Sequence, residues 1–476
     1  MAEVKQNSRT KKFIKDFGIY AIGNLGSKLI TFLMIPLYTY FVEKPKDYGY
    51  YDYCLQICFM LVPIVTLQIR DAAFRYLLVT DSEERKKQIV SFTLNSFFVC
   101  LAVTFLLAFI VSDFWQIPYL SYVVALLIML ACVEVFVQIA RGLGRNKVFV
   151  TSNLICTFGI GVLSILFVAI LSMGIKGIFL ANIVARLFSL AYCEYKLHLF
   201  RKYYSFKFNY NKIGKELLKY SLPLIPVALC WWITSSSNRV FIKEYLGLEI
   251  AGIYAVSARL VSIFQNIGII FYQTWQENAI QQYNSNDRDK FFSKVFNSYA
   301  AILTCLFIFY VFILKHVYPI IVSNNYQEGF EYLYLLGISA MLYTLTSYFE
   351  LGYQCANDTK RAITSIVLTA LIAIGLNYYL IRHYNSIYGI IISSILSYLF
   401  LFIYRYFETK RYFKLSLSKN LILYLILVAI GGILYSKTLP FWADALFLAV
   451  AAIVYAKTLP IQELKERLLK RRREKT

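Results

Sequence analysis

Of 476 residues, 59% are hydrophobic and only 16% are charged, which excludes the two or three soluble domains that this length would otherwise hold. Lys and Arg number 49 against 27 Asp and Glu, a formal net charge of +22. Nucleic acid is excluded as the partner behind that charge, because the cations sit in short loops between apolar runs and form no separate basic face.

The N-terminal cations Lys5, Arg9, Lys11, Lys12 and Lys15 precede an apolar run that continues to about Phe41 without a small-residue cleavage site. A retained first spanning helix is predicted there, near 15–41, rather than a signal peptide. Further spans are predicted near 50–69, 88–111, 118–140, 148–171 and 175–196. After a basic stretch they resume near 217–237, 250–274, 295–316, 330–352, 362–382, 386–405, 420–437 and 441–459. The expected fold is all-α and polytopic, with about 14 transmembrane helices.

Of the 49 cations, 37 fall in the N-terminal segment, the C-terminal tail and the alternate connectors beginning at Arg70, Arg141, Lys196, Glu277, Tyr353 and Arg405. Eight fall in the opposite connectors: Lys44, Lys46, Lys176, Arg239, Lys243, Lys315, Arg382 and Lys437. By the positive-inside rule both termini are expected in the cytoplasm, with the basic tail lying on anionic headgroups of the membrane lipid.

The stretch from Lys196 to Pro226 is basic and aromatic, and Pro223 and Pro226 are expected to bend the helix that follows it. On either side of it the sequence repeats. Asp47-Tyr48-Gly49-Tyr50-Tyr51 matches Ile250-Ala251-Gly252-Ile253-Tyr254, and Asp71 with Ala73 matches Glu277 with Ala279. Lys147, Thr151 and Ser152 match Lys360, Thr364 and Ser365, and Gly177-Ile178 with Leu187-Phe188 matches Gly389-Ile390 with Leu399-Phe400. Near-constant offsets of 203 to 213 predict two parallel-repeat six-helix bundles plus two extra C-terminal helices. The expected division is a six-helix lobe over 1–200, a basic connector over 201–216 and a second lobe over 217–412. Two additional transmembrane helices follow over 413–460, then a cytoplasmic tail over 461–476.

The nine cysteines are scattered through apolar segments, and His198, His316 and His383 lie far apart, so neither disulfides nor a metal centre is expected. Asp287-Arg288-Asp289 has the DxD pattern of metal–nucleotide enzymes but sits in a short polar loop with no surrounding domain. No P-loop or GxSxG occurs, the loops hold no catalytic domain, and neither an enzyme activity nor a cofactor is expected.

Several stretches carry a family resemblance. They are Lys219-Tyr220-Ser221-Leu222-Pro223-Leu224-Ile225-Pro226, Asn238-Arg239 with Ile242, and the run from Ala251 to Leu260. Ala73-Phe74-Arg75-Tyr76 and the turn Arg141-Gly142-Leu143-Gly144-Arg145 complete the set. Together they resemble the lipid-linked oligosaccharide (Wzx-like, O-antigen) flippases of the multidrug/oligosaccharidyl-lipid/polysaccharide exporter superfamily. The chain departs from the family's pattern in having Asn238 before the arginine and no proline in Trp275-Gln276-Glu277. The resemblance implies a transporter that flips an undecaprenyl-pyrophosphate-linked glycan across a bacterial inner membrane by alternating access. The glycan would be an O-antigen or a capsular or exopolysaccharide repeat unit, with a glycan polymerase machinery as partner.

A charge at mid-bilayer costs about 2.5–3.5 kcal/mol on insertion scales, so the intramembrane cations Lys28, Arg186 and Arg259 are expected to face a watery cavity. With Arg70 at the mouth of the second span they are the candidate substrate-binding cations, suited to an anionic passenger because Arg can hold phosphate oxygens bidentately. Asn24 and Gln265 are expected to line the same cavity. Glu134 and Glu350 are candidates for coupling to a Na+ or H+ gradient, with the membrane potential as a further drive. A drug exporter of the same superfamily would call for an acid in the first or seventh span, where this chain has Lys28 and no acid. An oligosaccharide polymerase or ligase would call for a long outer loop, which is absent.

Overall fold

The computed structural model describes residues 30, 32–205, 212–356, 358–437 and 439–458, and every regular element among them is helical. Ten helical segments are long and apolar enough to cross a membrane, or eleven if one pair bent by 57° counts as a single span. Two more apolar helices, Phe32–Phe41 and Asn420–Tyr435, are shorter. The span expected near 330–352 is a 27-residue helix, Gly329–Cys355, whose five tyrosines and two glutamates dilute its hydropathy.

The chain forms two compact units, Met1–Ala255 and Val256–Thr476. The boundary between them falls within one long helix.

Unit 1 contains α1 (Phe32–Phe41), α2 (Pro45–Val65), α3 (Ile69–Leu78), α4 (Glu83–Phe114), α5 (Leu120–Gly142) and α6 (Asn146–Ser164). They are followed by α7 (Gly174–Leu197), α8 (Leu199–Lys202), α9 (Lys212–Ser221), α10 (Leu224–Ser236), α11 (Asn238–Tyr245) and the start of α12 (Leu248–Gln282). The core is α7 packed on α6, α5 and α2, with α3 packed on α5 and α9. Pro63 lies in the last turn of α2, and Leu67 and Gln68 both take left-handed backbone (φ 48°) before α3 restarts. That conformation is costly for residues with a Cβ, so it marks a fixed break rather than a soft spot. The helix expected to bend at the prolines is interrupted at Leu222–Pro223, between α9 and α10.

Two repeat-related glycines meet inside this unit. A Cβ placed on Gly49 would fall on Leu248 O and come within 2.6 Å of Gly252 N. One placed on Gly252 would fall on Pro45 O and come within 3.1 Å of Gly49 N. Only residues lacking a side chain let α2 and the start of α12 cross backbone to backbone here.

Unit 2 contains the rest of α12, then α13 (Arg288–Ile321), α14 (Gly329–Cys355), α15 (Thr359–Tyr384) and α16 (Ile387–Thr409). The hairpin α17 (Asn420–Tyr435) and α18 (Phe441–Thr458) closes it. α16 packs on α14 and α15, while α13 packs on α14 and on both helices of the hairpin. Its core is strongly aromatic: Trp275 stacks on Tyr348, Phe296 meets Tyr348 and Phe349, and Phe292 meets Phe413. Between α14 and α15, the Tyr412 hydroxyl donates to Asp358 (2.9 Å) and, with Arg361, holds the Asp358 carboxyl below its ordinary range.

The same hydrogen-bonded clamp occurs once in each unit. In unit 1 Ser91 Oγ donates to Tyr203 O (2.8 Å) and accepts from Ser205 N (2.8 Å), while Asn95 Nδ2 donates to Ser205 O (3.0 Å). In unit 2 Ser293 Oγ donates to Asp289 O (2.6 Å), with Lys414 O 3.4 Å away, and accepts from Ser416 N (2.9 Å), while Asn297 Nδ2 donates to Ser416 O (2.9 Å). The pattern Ser-x-x-x-Asn-Ser, at 91–96 and at 293–298, makes α4 and α13 equivalent helices of the repeat. Sequence reading missed it because the residue types are common and only their partners reveal the match.

Candidate functional site

Lys28 and Asn24 lie outside the described residues. The other candidates fall into distinct clusters within each unit.

At the start of α3, Arg70 Nη1 pairs with Glu134 Oε2 of α5, and Arg70 Nε donates to Gln68 Oε1 (3.1 Å). Asp71 is 3.8 Å from the same nitrogen. The break at Leu67–Gln68 turns α3 so that this arginine reaches α5. Arg70 and Glu134, expected as a substrate cation and a coupling acid, therefore neutralise each other. Nearby, Arg141 stacks over Phe74 (4.5 Å) and Arg75 over Tyr220 (4.6 Å), so these cations are held by aromatic faces.

Arg186 is 8% exposed in the middle of α7. It donates through Nη1 to Asn182 O (2.9 Å) and Asn182 Oδ1 (2.8 Å), one turn back on its own helix. No carboxylate pairs with it among the described residues. A buried guanidinium held by neutral oxygens keeps its full charge and several donors for an anion.

A second buried cation was missed. Arg239 opens α11 and its Nε lies 2.6 Å from Asp52 Oδ2 of α2, with the two side chains 15% and 5% exposed. The guanidinium also sits over the Tyr254 ring (5.7 Å), and Asn238 Nδ2 donates to Tyr254 Oη (3.2 Å). Counting Arg239 as a connector cation hid this pair, because the sequence does not say that this helical residue faces α2.

In unit 2, Arg259 and Gln265 are half-buried on α12, where Ser262 Oγ donates to Arg259 O (2.7 Å) and Asn266 Nδ2 to Ser262 O (2.7 Å). Those bonds hold the polar residues after Arg259 to the helix itself. Glu350 is not an isolated acid: Arg405 Nη1 lies 3.7 Å from its Oε2 and also donates to Thr346 O (3.3 Å). Arg405, counted as a loop cation from sequence, is 1% exposed inside α16. Beside this pair, Gln354 Nε2 donates to Tyr272 Oη (2.6 Å), and Gln276 Nε2 donates to Gln354 Oε1 (2.7 Å). Lys315 is likewise no loop cation: its Nζ is 2.9 Å from Asp444 Oδ2 on α18, and both side chains are buried.

Among the described residues no cluster of His, Cys, Asp and Glu could hold a metal ion. Arg70–Glu134, Arg239–Asp52, Arg405–Glu350 and Lys315–Asp444 neutralise one another in pairs, whereas Arg186 is held by neutral oxygens.

A family model described as polysaccharide biosynthesis protein matches residues 13–275, more than half of the chain. No curated protein matches it. Among solved structures, an inward-facing multidrug resistance MATE family transporter of the MOP superfamily superposes with a TM-score of 0.63 at 13% identity, covering 81% of this chain and 95% of that one. A MATE in complex with MaL6 gives 0.57 at 13% identity (84% and 96%). The MATE multidrug transporter DinF-BH gives 0.55 at 13% identity (83% and 95%). The fold is thus that of the multi-pass MATE transporters. The chain belongs to the polysaccharide biosynthesis protein family.

Proposed function

We propose that the protein flips an undecaprenyl-pyrophosphate-linked oligosaccharide, an O-antigen or capsular or exopolysaccharide repeat unit, from the cytoplasmic to the periplasmic leaflet of a bacterial inner membrane. The observation that carries this reading is Arg186, a buried cation that no carboxylate neutralises among the described residues. A pyrophosphate can bring that missing charge, and a guanidinium can take two of its oxygens side by side. Lys28, Arg259, Asn24 and Gln265 are the further candidates for contact with the passenger in this reading. Both termini lie in the cytoplasm in this reading, which follows the loop cations. No cofactor takes part.

Outward movement of an anion is favoured by an inside-negative potential by about 2.3 kcal/mol per charge per 100 mV. Exchange of H+ or Na+ adds to this drive, through Glu350 once Arg405 releases it or through Glu134 once Arg70 does. A glycan polymerase then receives the flipped lipid.

The test is deletion of the gene in its host with leaflet-resolved detection of the lipid-linked glycan, complemented by Arg186→Gln and Arg186→Lys. The glycan should accumulate on the cytoplasmic face in the null strain and with Arg186→Gln, and be partly released by Arg186→Lys. A null strain with normal glycan and raised drug sensitivity would overturn this reading. It would favour small-molecule export, the second reading, which the fold shared with the multidrug transporters supports.

A further inference from the structure

Asn182 and Arg186 belong to a buried polar stripe on α7 that continues through Ser189 and Cys193, at the spacing of one helix face. The last two bind neighbouring helices: Ser189 Oγ donates to Ser152 O of α6 (2.9 Å) and Cys193 Sγ to Phe136 O of α5 (3.8 Å). Arg186 does not. Both of its hydrogen bonds return to Asn182 on its own helix. It therefore ties no two helices together, although that is the ordinary use of a polar side chain between them.

Asn182 is itself fixed. It is 4% exposed, and its Nδ2 donates to Ile178 O (3.0 Å), which turns Oδ1 toward Arg186 Nη1 (2.8 Å). The main-chain oxygen of Asn182 accepts from the same Nη1 (2.9 Å). One corner of the guanidinium is thus held by two neutral oxygens, and among the described residues Nε and Nη2 have no partner. Those two nitrogens point the same way and form a fork that matches two oxygens of a phosphate. The charge is felt by the Cys58 thiol of α2 and the Cys156 thiol of α6, which puts the guanidinium among α2, α6 and α7.

The residue at 182 decides what that fork can bind. Lys315 and Arg405, the other buried cations among the described residues, each face an acid, Asp444 and Glu350. Aspartate has the size of asparagine and would hold Arg186 more strongly, but it would cancel the charge. Asparagine holds the guanidinium without cancelling it. We propose that Asn182 is the positioning residue of the anion site: it aims the Nε–Nη2 edge of Arg186 and keeps its charge uncompensated, so that a phosphate-bearing head is selected over a neutral or cationic passenger. The inference rests on the anionic passenger proposed above and adds the residue that confers the selectivity.

The full-length protein, purified in detergent micelles, is titrated with radiolabelled inorganic pyrophosphate, with binding counted per monodisperse protein and the unfolding midpoint of each variant measured alongside. Asn182→Asp should lower the affinity by about tenfold or more, the worth of one charge-assisted hydrogen bond. Its midpoint should equal or exceed that of the parent protein. Asn182→Ala, which leaves the charge in place but unaimed, should lower the affinity less. A residue that only packs and ties its helix gives the opposite order, because Asp keeps the size and the bond while Ala loses both. Binding by Asn182→Asp that equals the parent's or exceeds that of Asn182→Ala overturns the proposal, as does an Asn182→Asp protein that is not monodisperse. Arg186→Gln tells the two failures apart. If it abolishes binding and Asn182→Asp does not, the role of Asn182 is wrong and the anionic passenger stands. If it binds pyrophosphate as the parent does, the anion site falls and the role of Asn182 with it.

Discussion

Arg239→Met tests whether the Asp52–Arg239 pair closes the packing of α10 and α11 on α2. The pair is 2.6 Å long, and its side chains are only 5% and 15% exposed. Removing the cation leaves a carboxylate in a site that water barely reaches, which costs about 3–5 kcal/mol. Against a total stability of roughly 5–15 kcal/mol that is a large fraction. Asp52→Asn leaves Arg239 over the Tyr254 ring, where the cation–π contact offsets part of the loss, so this variant should be the milder one. The double variant removes both charges and should be more stable than Arg239→Met alone, since buried pairs replaced by neutral groups lose little. The assay is unfolding by sodium dodecyl sulfate in mixed micelles, followed by tryptophan fluorescence. Trp232 reports on the same contact because its Nε1 donates to Gln56 O (2.8 Å). A coupling energy above about 1 kcal/mol is expected. Single effects that add to within about 0.5 kcal/mol would refute the pairing argument.

Gly49→Ala and Gly252→Ala should each lower the yield of monodisperse protein sharply, because the new methyl meets backbone. Gly375→Ala, with nothing within 4 Å of its Cβ, should raise stability in the same unfolding assay by up to about 1 kcal/mol. Asn297→Ala breaks the bonds to Ser416 O and from Ser418 N and should cost about 1–2 kcal/mol, as should Asn95→Ala at the matching clamp. Lys315→Met should destabilise unit 2 by about 3–5 kcal/mol, and adding Asp444→Leu should recover most of that loss, read as unfolding midpoints in the same micelles.

Helix positions were largely legible because a 30 Å hydrocarbon layer forces long apolar runs, and no partner is needed to see them. The repeat was legible wherever glycine was obligatory, as at Gly49 and Gly252. It was invisible in the Ser91 and Ser293 clamps, whose meaning lies in backbone groups more than 100 residues away. Charges were the hardest part. A count of loop cations assigns Arg239, Lys315 and Arg405 to connectors, since a residue at a helix end can point either way. Each turns inward, and each brings an acid with it: Asp52, Asp444 and Glu350. Arg186 was expected to face a watery cavity, and its hold on Asn182 required knowing which helix face turns inward.

The two extra C-terminal helices do more than extend the chain. A helix in the position of α4 or α13 is clamped at one end by the serine–asparagine motif, and over the rest of its length it presents a broad apolar face. In unit 2 the chain that leaves the clamp at Ser416 and Ser418 turns at once into α17, so the clamp also sets the hairpin against α13. Lys315 then reaches from α13 to Asp444 on α18 and to Leu434 O and Lys437 O at the hairpin's turn. A lysine and an aspartate at these depths are costly alone and stable only together, so the pair fixes the hairpin in one register instead of merely adding attraction. In unit 1 the chain leaving the clamp at Ser205 leads instead to α9, which packs under α3 and α4, and among the described residues the far half of α4 stays exposed.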